Sequence, residues 1–155
     1  MYFVSISILN KLSIEQLKMR KIIILGVFLV IILIVVFYFL RFSYISYKEI
    51  DLAIQQHHFQ NKIQNEEKHY DIKQYGYFKE VKYKDEPHYK YTYQTIKRPG
   101  FKDFINPNYE YKTNNVKTLV EDEKTGKDLT HSQKAKHQID NEWYSNKKRI
   151  LIEYP

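Results

Sequence analysis

The pattern of hydrophobic and polar positions changes three times along this 155-residue chain. From Ile22 to Leu40, 19 consecutive residues carry no charge, and nearly all of them are Ile, Leu, Val or Phe. A helix of that length is roughly 28 Å long, which is close to the thickness of the hydrocarbon core of a bilayer. The run therefore predicts one transmembrane helix, which we place within residues 19–43.

The next segment, residues 44–70, has the pattern of an amphipathic helix. Ser46 and Glu49 have the spacing of a capping box. Tyr47, Ile50 and Ile54 recur on one face, and no Pro or Gly interrupts the segment. The pattern predicts a helical stalk that continues from the membrane helix and is largely solvated.

Beyond residue 70 the apolar period changes to two, which is typical of strands. One face of the first run carries Tyr75, Tyr77, Val81 and Tyr83, and the pattern resumes after KDEPH with Tyr89, Tyr91 and Tyr93. Two such runs around a turn predict an antiparallel hairpin. If the tyrosines of both strands share one face, paired residue numbers sum to an even number, as in Tyr83 opposite Tyr89 or Tyr91. The loop should then contain three or five residues.

Two further elements complete the predicted sheet. Tyr109–Thr113 and Val116–Val120 flank Asn114-Asn115, a dipeptide suited to a two-residue hairpin turn. Residues 149–154 predict a short terminal strand. The fold class is therefore α+β: a single N-terminal transmembrane helix, a helical stalk and a small antiparallel β-meander domain over residues 71–155.

Basic residues orient the membrane helix. Lys18, Arg20 and Lys21 precede the apolar run, whereas Arg41 follows it. By the positive-inside rule the N-terminus is cytoplasmic and residues 41–155 are extracytoplasmic, as in a single-pass protein of the cell membrane. Bulky residues follow the run, so no A-x-A-like cleavage site is visible and we expect an uncleaved signal anchor.

Residues 1–18 form a short extension with two open interpretations. The stretch MRKIIILG, which begins at Met19, reads as a complete start of a signal-anchored protein. The extension is then a translated leader from a misassigned start, which we favour slightly. The alternative is a short interfacial helix, since Leu9, Leu12 and Leu17 have rough helical spacing.

Composition narrows the chemistry further. The chain has no Cys, which excludes disulfides, thiol catalysis and cysteine metal sites. Its formal net charge is +7, and 15 tyrosines are present. Tyrosines interleaved with lysines can form a nucleic-acid platform, but an extracytoplasmic domain meets little nucleic acid. We therefore expect the tyrosine face to pack the core, and we expect no nucleic-acid partner.

No catalytic motif, cofactor motif or metal-ligand spacing stands out in the chain. His58 and Glu66 are eight positions apart, which is too far for one coordination shell on a helix. Asp85 and Glu86 beside Pro87 could form an acid–base pair, but adjacent acids next to Pro are more often a turn signal. We expect neither an enzyme nor a bound cofactor or metal.

An apolar anchor, a polar helix and the strand EVKYKDEPHYKYTYQT resemble the membrane-anchored proteins of domain-of-unknown-function family 3139. The family hallmark resembles V-x-[FY]-K-D-E-P followed by Y-x-Y, which corresponds here to Val81, Tyr83–Pro87, Tyr89, Tyr91 and Tyr93. The resemblance covers Met19 to Ile96 and extends to the Lys136-His137 region. It implies a single-pass architecture and a Gram-positive host with an AT-rich genome, and it carries no assigned activity.

These observations favour an external, non-enzymatic interaction module at the cell envelope. The candidate interaction residues are Lys84, Asp85, Glu86, Pro87, Tyr89, Tyr91 and Tyr93. The partner is an envelope protein, an anionic wall polymer or lipid headgroups. The alternatives are an envelope enzyme, an enzyme inhibitor or a regulatory subunit of a membrane complex. A deep pocket lined by Asp85, Glu86 and a histidine would favour the enzyme, and a smooth sheet packed on the stalk would favour the interaction module.

Overall fold

A computed structural model describes residues 2–73, 76–130, 132 and 134–139. The first element is helix α1 (Tyr2–Gln56), and the chain separates between Leu40 and Arg41 into two compact units. In the first unit, one stretch of the helix is long and apolar enough to cross a membrane. None of its apolar window is buried by protein, so its side chains do not form the core of a globular domain.

The second unit begins with the last turns of α1, from Arg41 to Gln56. Ile45, Ile50 and Ala53 are fully or almost fully buried there, whereas Lys48 and Gln55 are exposed. The helix is amphipathic as its sequence predicts. It serves as one layer of the domain core and not as a solvated stalk.

The predicted stalk over residues 44–70 is wrong from residue 57 onward, because α1 ends at Gln56. His58 adopts a left-handed conformation with φ of 58°. Its N–H donates to the carbonyl of Gln55, and the N–H of Phe59 donates to the carbonyl of Ile54. These two bonds form a Schellman motif, which caps the last carbonyls of the helix.

After a 3₁₀ turn at Gln60–Lys62, the chain forms strand β1 (Ile63–Asp71) where a helix was predicted. The strand reads IQNEEKHYD and most of its side chains are exposed, so it lacks the alternation that identifies a strand. Pairing with β2 (Gly76–Tyr83) supplies its backbone hydrogen bonds, and this non-local pairing overrides the local pattern.

Within the described residues the sheet has five antiparallel strands in sequence order, which confirms the predicted meander. It continues through β3 (Glu86–Thr95), β4 (Val116–Asp122) and β5 (Lys127–Asp128). Between β3 and β4 lie the short helix α2 (Phe101–Ile105) and a 3₁₀ turn at Thr113–Asn115. The predicted terminal strand at residues 149–154 lies outside the described residues.

The predicted hairpin forms between β2 and β3, with its body in the even-sum register. Val81 pairs with Tyr91, and Lys82 pairs with Lys90. At the tip, however, Tyr83 pairs with Glu86, so the loop is the two residues 84–85 and not three or five. The three residues 87–89 bulge from β3 and absorb the change of register, and Pro87 suits a bulge because it has no N–H to donate.

The second predicted hairpin is wrong. Residues 109–112 form no strand, and β4 pairs with β3 instead, with Thr118 opposite Tyr93. Glu49 of α1 holds the segment, because its buried carboxylate accepts bonds from the hydroxyl of Tyr109 (2.7 Å) and the N–H of Lys112 (3.0 Å). A carboxylate on a distant helix therefore decides the conformation that the Asn-Asn turn signal failed to predict.

The core lies between α1 and one face of the sheet. The sheet contributes Val81, Tyr83, Tyr91, Tyr93, Val116 and Val120, and the helix contributes Ile50, Ala53 and Ile54. The expectation that the tyrosine face packs the core is confirmed. A lysine is also buried there: the ammonium of Lys79 lies between the carboxylates of Asp51 and Glu66, and its side chain is 2% exposed.

We predict that Ile50→Ala lowers the free energy of unfolding of the domain by about 2–5 kcal/mol, because it leaves a cavity between helix and sheet. Gln55→Ala is the matched control, since its exposed side chain lies on the same helix. Chemical denaturation of the full chain in detergent, followed by tyrosine circular dichroism, measures both. Equal stability of the two variants would show that α1 does not complete the core.

Candidate functional site at the hairpin tip

The tip of the β2–β3 hairpin carries a cluster of polar side chains, which we call the tip cluster: Asp85, Glu86, Tyr91 and His137. Asp85 is the second residue of the turn after β2, Glu86 begins β3, and Tyr91 lies on the core face of β3. His137 comes from the segment 134–139, 52 residues further along the chain than Asp85. The cluster therefore ties the end of the described chain to the hairpin.

Asp85 links three separate parts of the domain. One of its carboxylate oxygens lies 2.9 Å from Nε2 of His137, and the other lies 3.3 Å from the ammonium of Lys62. Burial alone would raise the pKa of Asp85, but the hydrogen bond from His137, the charge of that ring and the bond from Lys62 together lower it below its ordinary value of 3.8. The carboxylate is therefore ionised at neutral pH.

Glu86 is buried, and its carboxylate accepts two bonds. The hydroxyl of Tyr91 donates one, and the backbone N–H of Lys136 donates the other at 3.2 Å. A buried carboxylate without such donors would be strongly destabilised. Glu86 thus fastens the backbone beside His137 to the base of the tip.

The tyrosine hydroxyls behind the cluster form a short chain of bonds. Tyr93 donates to the backbone carbonyl of His137, and its oxygen lies 2.7 Å from the hydroxyl oxygen of Tyr83. Because the proton of Tyr93 is committed to His137, Tyr83 is the donor between the two. Burial raises the pKa of both phenols well above 10, so both stay neutral over the physiological range.

The ring of His137 lies inside the core and is 1% exposed. It stacks on Tyr83 with ring centroids 3.9 Å apart and meets the edge of Phe59 at 4.9 Å. Its Nδ1 has no hydrogen-bond partner among the described residues. No described hydroxyl is therefore paired with this histidine as a nucleophile is paired with its general base.

The seven residues predicted as a contact surface divide into two groups. Lys84 and Pro87 are exposed, and the side chain of Asp85 is one-third exposed. Tyr89 is half-buried and packs against the core, and the other three are buried: Glu86, Tyr91 and Tyr93. Of the seven, Lys84, Asp85 and Pro87 are thus the ones that the hairpin tip exposes to a partner.

His58 and Glu66, the two residues weighed for a metal, do not converge with each other or with the histidines near them. His57 and His58 are exposed at the end of α1, whereas Glu66 is paired with Lys79 and His69 stacks on Phe78 with ring centroids 5.3 Å apart. Within residues 2–73, 76–130, 132 and 134–139, no three His, Asp or Glu side chains are placed to hold a metal ion.

The sequence identifies the motif residues but not the residues elsewhere in the chain that bond to them. The sequence pattern places Lys62 on a helix, and only the family resemblance points to His137. The pattern predicts a helix-capping role for Glu49, yet Glu49 accepts three bonds, including one from Nδ2 of Asn115 at 2.8 Å. Nothing local in the sequence marks such pairs, because their members are 23 to 66 residues apart.

A model of the family described as Protein of unknown function (DUF3139) matches residues 18–93. Through these residues the chain belongs to the DUF3139 family. The DUF3139 match contains α1 from Lys18, the strands β1 and β2, and β3 up to Tyr93, so it includes Asp85, Glu86 and Tyr91 of the tip cluster. His137 lies outside it. Searches of curated proteins and of solved structures found no match to the chain.

We predict that Glu86→Ala destabilises the domain by about 1–3 kcal/mol for each donor it leaves unpaired, namely Tyr91 and the N–H of Lys136. Lys84→Ala, two positions away in the same motif, removes an exposed side chain and should change stability by less than about 0.5 kcal/mol. Denaturant unfolding of the full chain in detergent measures the difference, and a Glu86→Ala chain as stable as Lys84→Ala would contradict a structural role for the tip cluster.

A pH series tests Asp85 separately. Because its pKa is lower in the folded chain than in the unfolded chain, Asp85 stabilises the fold above about pH 4 and loses that contribution as the pH falls through the folded-state pKa. The stability difference between the original chain and Asp85→Asn should therefore shrink as the pH falls below about 4. A difference that is the same at about pH 3 and about pH 5 would show that the ionised carboxylate of Asp85, with its contacts to His137 and Lys62, does not stabilise the fold.

Proposed function

We propose that this chain is a single-pass membrane protein whose domain from Arg41 onward is a non-enzymatic module that binds a protein of the cell envelope. The observation that carries the proposal is how the motif residues are buried and bonded. Asp85, Glu86 and His137 do come together, as an envelope enzyme would require, but His137 and Glu86 are buried and bonded within the fold. They hold the domain together and leave no acid–base pair facing a substrate.

The second support is the surface that remains available. The face of the sheet opposite the core, which we call the outer face, carries Phe78, Glu80, Lys90, Thr92, Leu119 and Glu121 around a shallow depression of about 430 Å³. Its lining combines the apolar side chains of Phe78 and Leu119 with charged ones. A mixed apolar and polar lining is typical of a protein-binding surface.

Charges of both signs alternate on the outer face. Lys90 lies 3.1 Å from a carboxylate oxygen of Glu121 and 3.8 Å from one of Glu80. The carboxylates of Glu80 and Glu121 would repel a polyanionic wall polymer, while the ammonium of Lys90 would attract it. This face therefore gives such a polymer little affinity. A protein with a complementary pattern of charges fits the face better, because such patterns select one partner over others.

The edge of the sheet argues against another mode of binding. Strand β1 is the edge next to β2, and it exposes Glu67 and Lys68 along its length. Charged side chains on an edge strand discourage the addition of a further strand from another chain. We therefore assign partner binding to the outer face and not to strand addition at β1.

The cellular location belongs to the same proposal. The basic cluster Lys18, Arg20 and Lys21 before the apolar run supports a cytoplasmic N-terminus and an extracytoplasmic domain. In that topology the outer face meets proteins of the envelope. The proposal includes the Gram-positive host that the family resemblance implies.

Site-specific cross-linking in the native membrane tests the partner. A photoreactive amino acid at Thr92, on the outer face, should yield one discrete protein adduct, and the same residue at Gln55, exposed on α1, should not. Lys90→Glu should reduce the Thr92 adduct several-fold, because it reverses the charge beside the depression. Lys48→Glu is the matched control, since Lys48 is exposed on the helix.

Three results would overturn the proposal. Adducts of Thr92 with lipid or wall polymer alone would remove the protein partner. Equal adducts from Thr92 and Gln55 would remove the outer face as the binding surface. If an external protease digests the domain only after cell lysis, the domain is cytoplasmic and the topology is the inverse of the one proposed.

A further inference from the structure

The β1–β2 turn and helix α2 both lie beside the first residues of the domain. The ring of Phe42 contacts Tyr77 with centroids 4.9 Å apart and Phe104 of α2 at 6.5 Å. A Cβ placed on Gly76 would lie only 3.1 Å from the ring of Phe42, and the positive φ of Gly76 also suits glycine. Arg41 donates to the carbonyl of Asn106 at 3.3 Å. These contacts bring both segments to the level of residues 41–42.

Exposed apolar side chains gather at this same end. From Arg41 onward, the described large apolar or aromatic side chains that are exposed are Tyr44, Tyr70, Ile72, Phe101 and Ile105. Tyr44 lies near the start of this unit, Tyr70 near the end of β1, Ile72 on the β1–β2 turn, and Phe101 and Ile105 on α2. Ile72 and Phe101 are each 72% exposed, which costs free energy in water unless another phase or protein covers them.

Basic side chains surround these apolar groups. Lys73 follows Ile72, Lys102 follows Phe101, and both are exposed, as is Arg98. The guanidinium Nε of Arg98 lies within 3.6 Å of the position a Cβ on Gly76 would take, which places it in the same region. The two nearby acids are engaged with backbone: Asp71 accepts from the N–H of Lys73 (2.7 Å) and Asp103 from that of Gly100 (2.6 Å).

We infer that this end of the domain, defined by Ile72, Lys73, Arg98, Phe101, Lys102 and Ile105 and called the docking end, rests on a bilayer surface of anionic lipid. Arg41 is bonded to Leu40, the last residue of the apolar run, so their Cα atoms are about 3.8 Å apart. Wherever the apolar run is embedded in a bilayer, the neighbourhood of Arg41 is therefore at the headgroups. This holds for either orientation of the membrane helix.

The chemistry of the docking end matches that surface. Apolar and aromatic side chains insert shallowly between headgroups and acyl chains, while Lys and Arg extend to the phosphates. Basic residues near an anionic leaflet contribute to binding through its negative surface potential. The outer face, with its alternating charges, has no such bias, and the docking end does not depend on the protein partner proposed for it.

Depth-dependent quenching tests the inference on the full chain in lipid vesicles. The chain has no Cys, so Ile72→Cys and Ile105→Cys each accept one fluorescent label, and Gln55→Cys is the control. In vesicles containing phosphatidylglycerol, nitroxide groups on the upper acyl chain should quench the labels at 72 and 105 strongly and the label at 55 little. The double change Arg98→Glu with Lys102→Glu should reduce that quenching by roughly fivefold.

The double variant separates docking from mere tethering, because a tethered but undocked domain would show the same quenching with either charge. Unchanged tyrosine circular dichroism shows that the variant is folded. In vesicles of phosphatidylcholine alone, the effect of the double variant should be smaller, since the surface potential is absent. The inference would be overturned if the labels at 72 and 105 are quenched no more than the label at 55. Quenching that disappears on dilution of the chain in the vesicle would indicate a second copy as the occupant and would overturn it too.

Discussion

The domain depends on one packing constraint: the tyrosine face of the sheet must be covered, and the last turns of α1 cover it. Ile50, Ala53 and Ile54 meet Val81, Tyr91 and Val120, and water is excluded from both. A sheet with one uncovered apolar face is not independently stable in water, so helix and strands form a single cooperative unit. The chain that leaves the predicted membrane segment is thereby built directly into the core of the domain.

Burial of that face also buries polar atoms, and their pairing determines much of the remaining structure. Glu49 gathers residues 109–115, Lys79 joins α1 to β1 through Asp51 and Glu66, and the tip cluster draws residues 134–139 onto the hairpin. Each group would be costly if left unpaired in the core. Within the K-D-E-P motif, which lies in the residues that match the DUF3139 model, Asp85 and Glu86 are accordingly bonded within the fold, whereas Lys84 and Pro87 lie at the surface.

Because Asp85 and Glu86 of the motif are bonded within the fold, function must rest on surfaces outside the core. The two proposed surfaces differ in chemistry and in position. The outer face mixes charges of both signs around Phe78 and Leu119, which suits a protein, whereas the docking end sets Ile72 and Phe101 among basic residues, which suits lipid. A domain held at the headgroups by one surface could present the other to a partner in a restricted range of orientations, which lowers the entropic cost of binding.

Local periodicity was sufficient to predict the apolar helix, the tyrosine strands β2 and β3, and the even-sum register of their hairpin. It failed where long-range pairing outweighs local preference. Strand β1 carries charges without alternation and forms because β2 offers it backbone partners, residues 109–112 follow Glu49, and Pro87 lies in a bulge that shortens the tip to two residues. Strand β1 and residues 109–112 could not be predicted locally, because the groups that hold them, such as Glu66 with Lys79 and Glu49 with Asn115, are 13 to 66 residues apart, and the free energy of each contact arises from burial in a core that no segment forms alone.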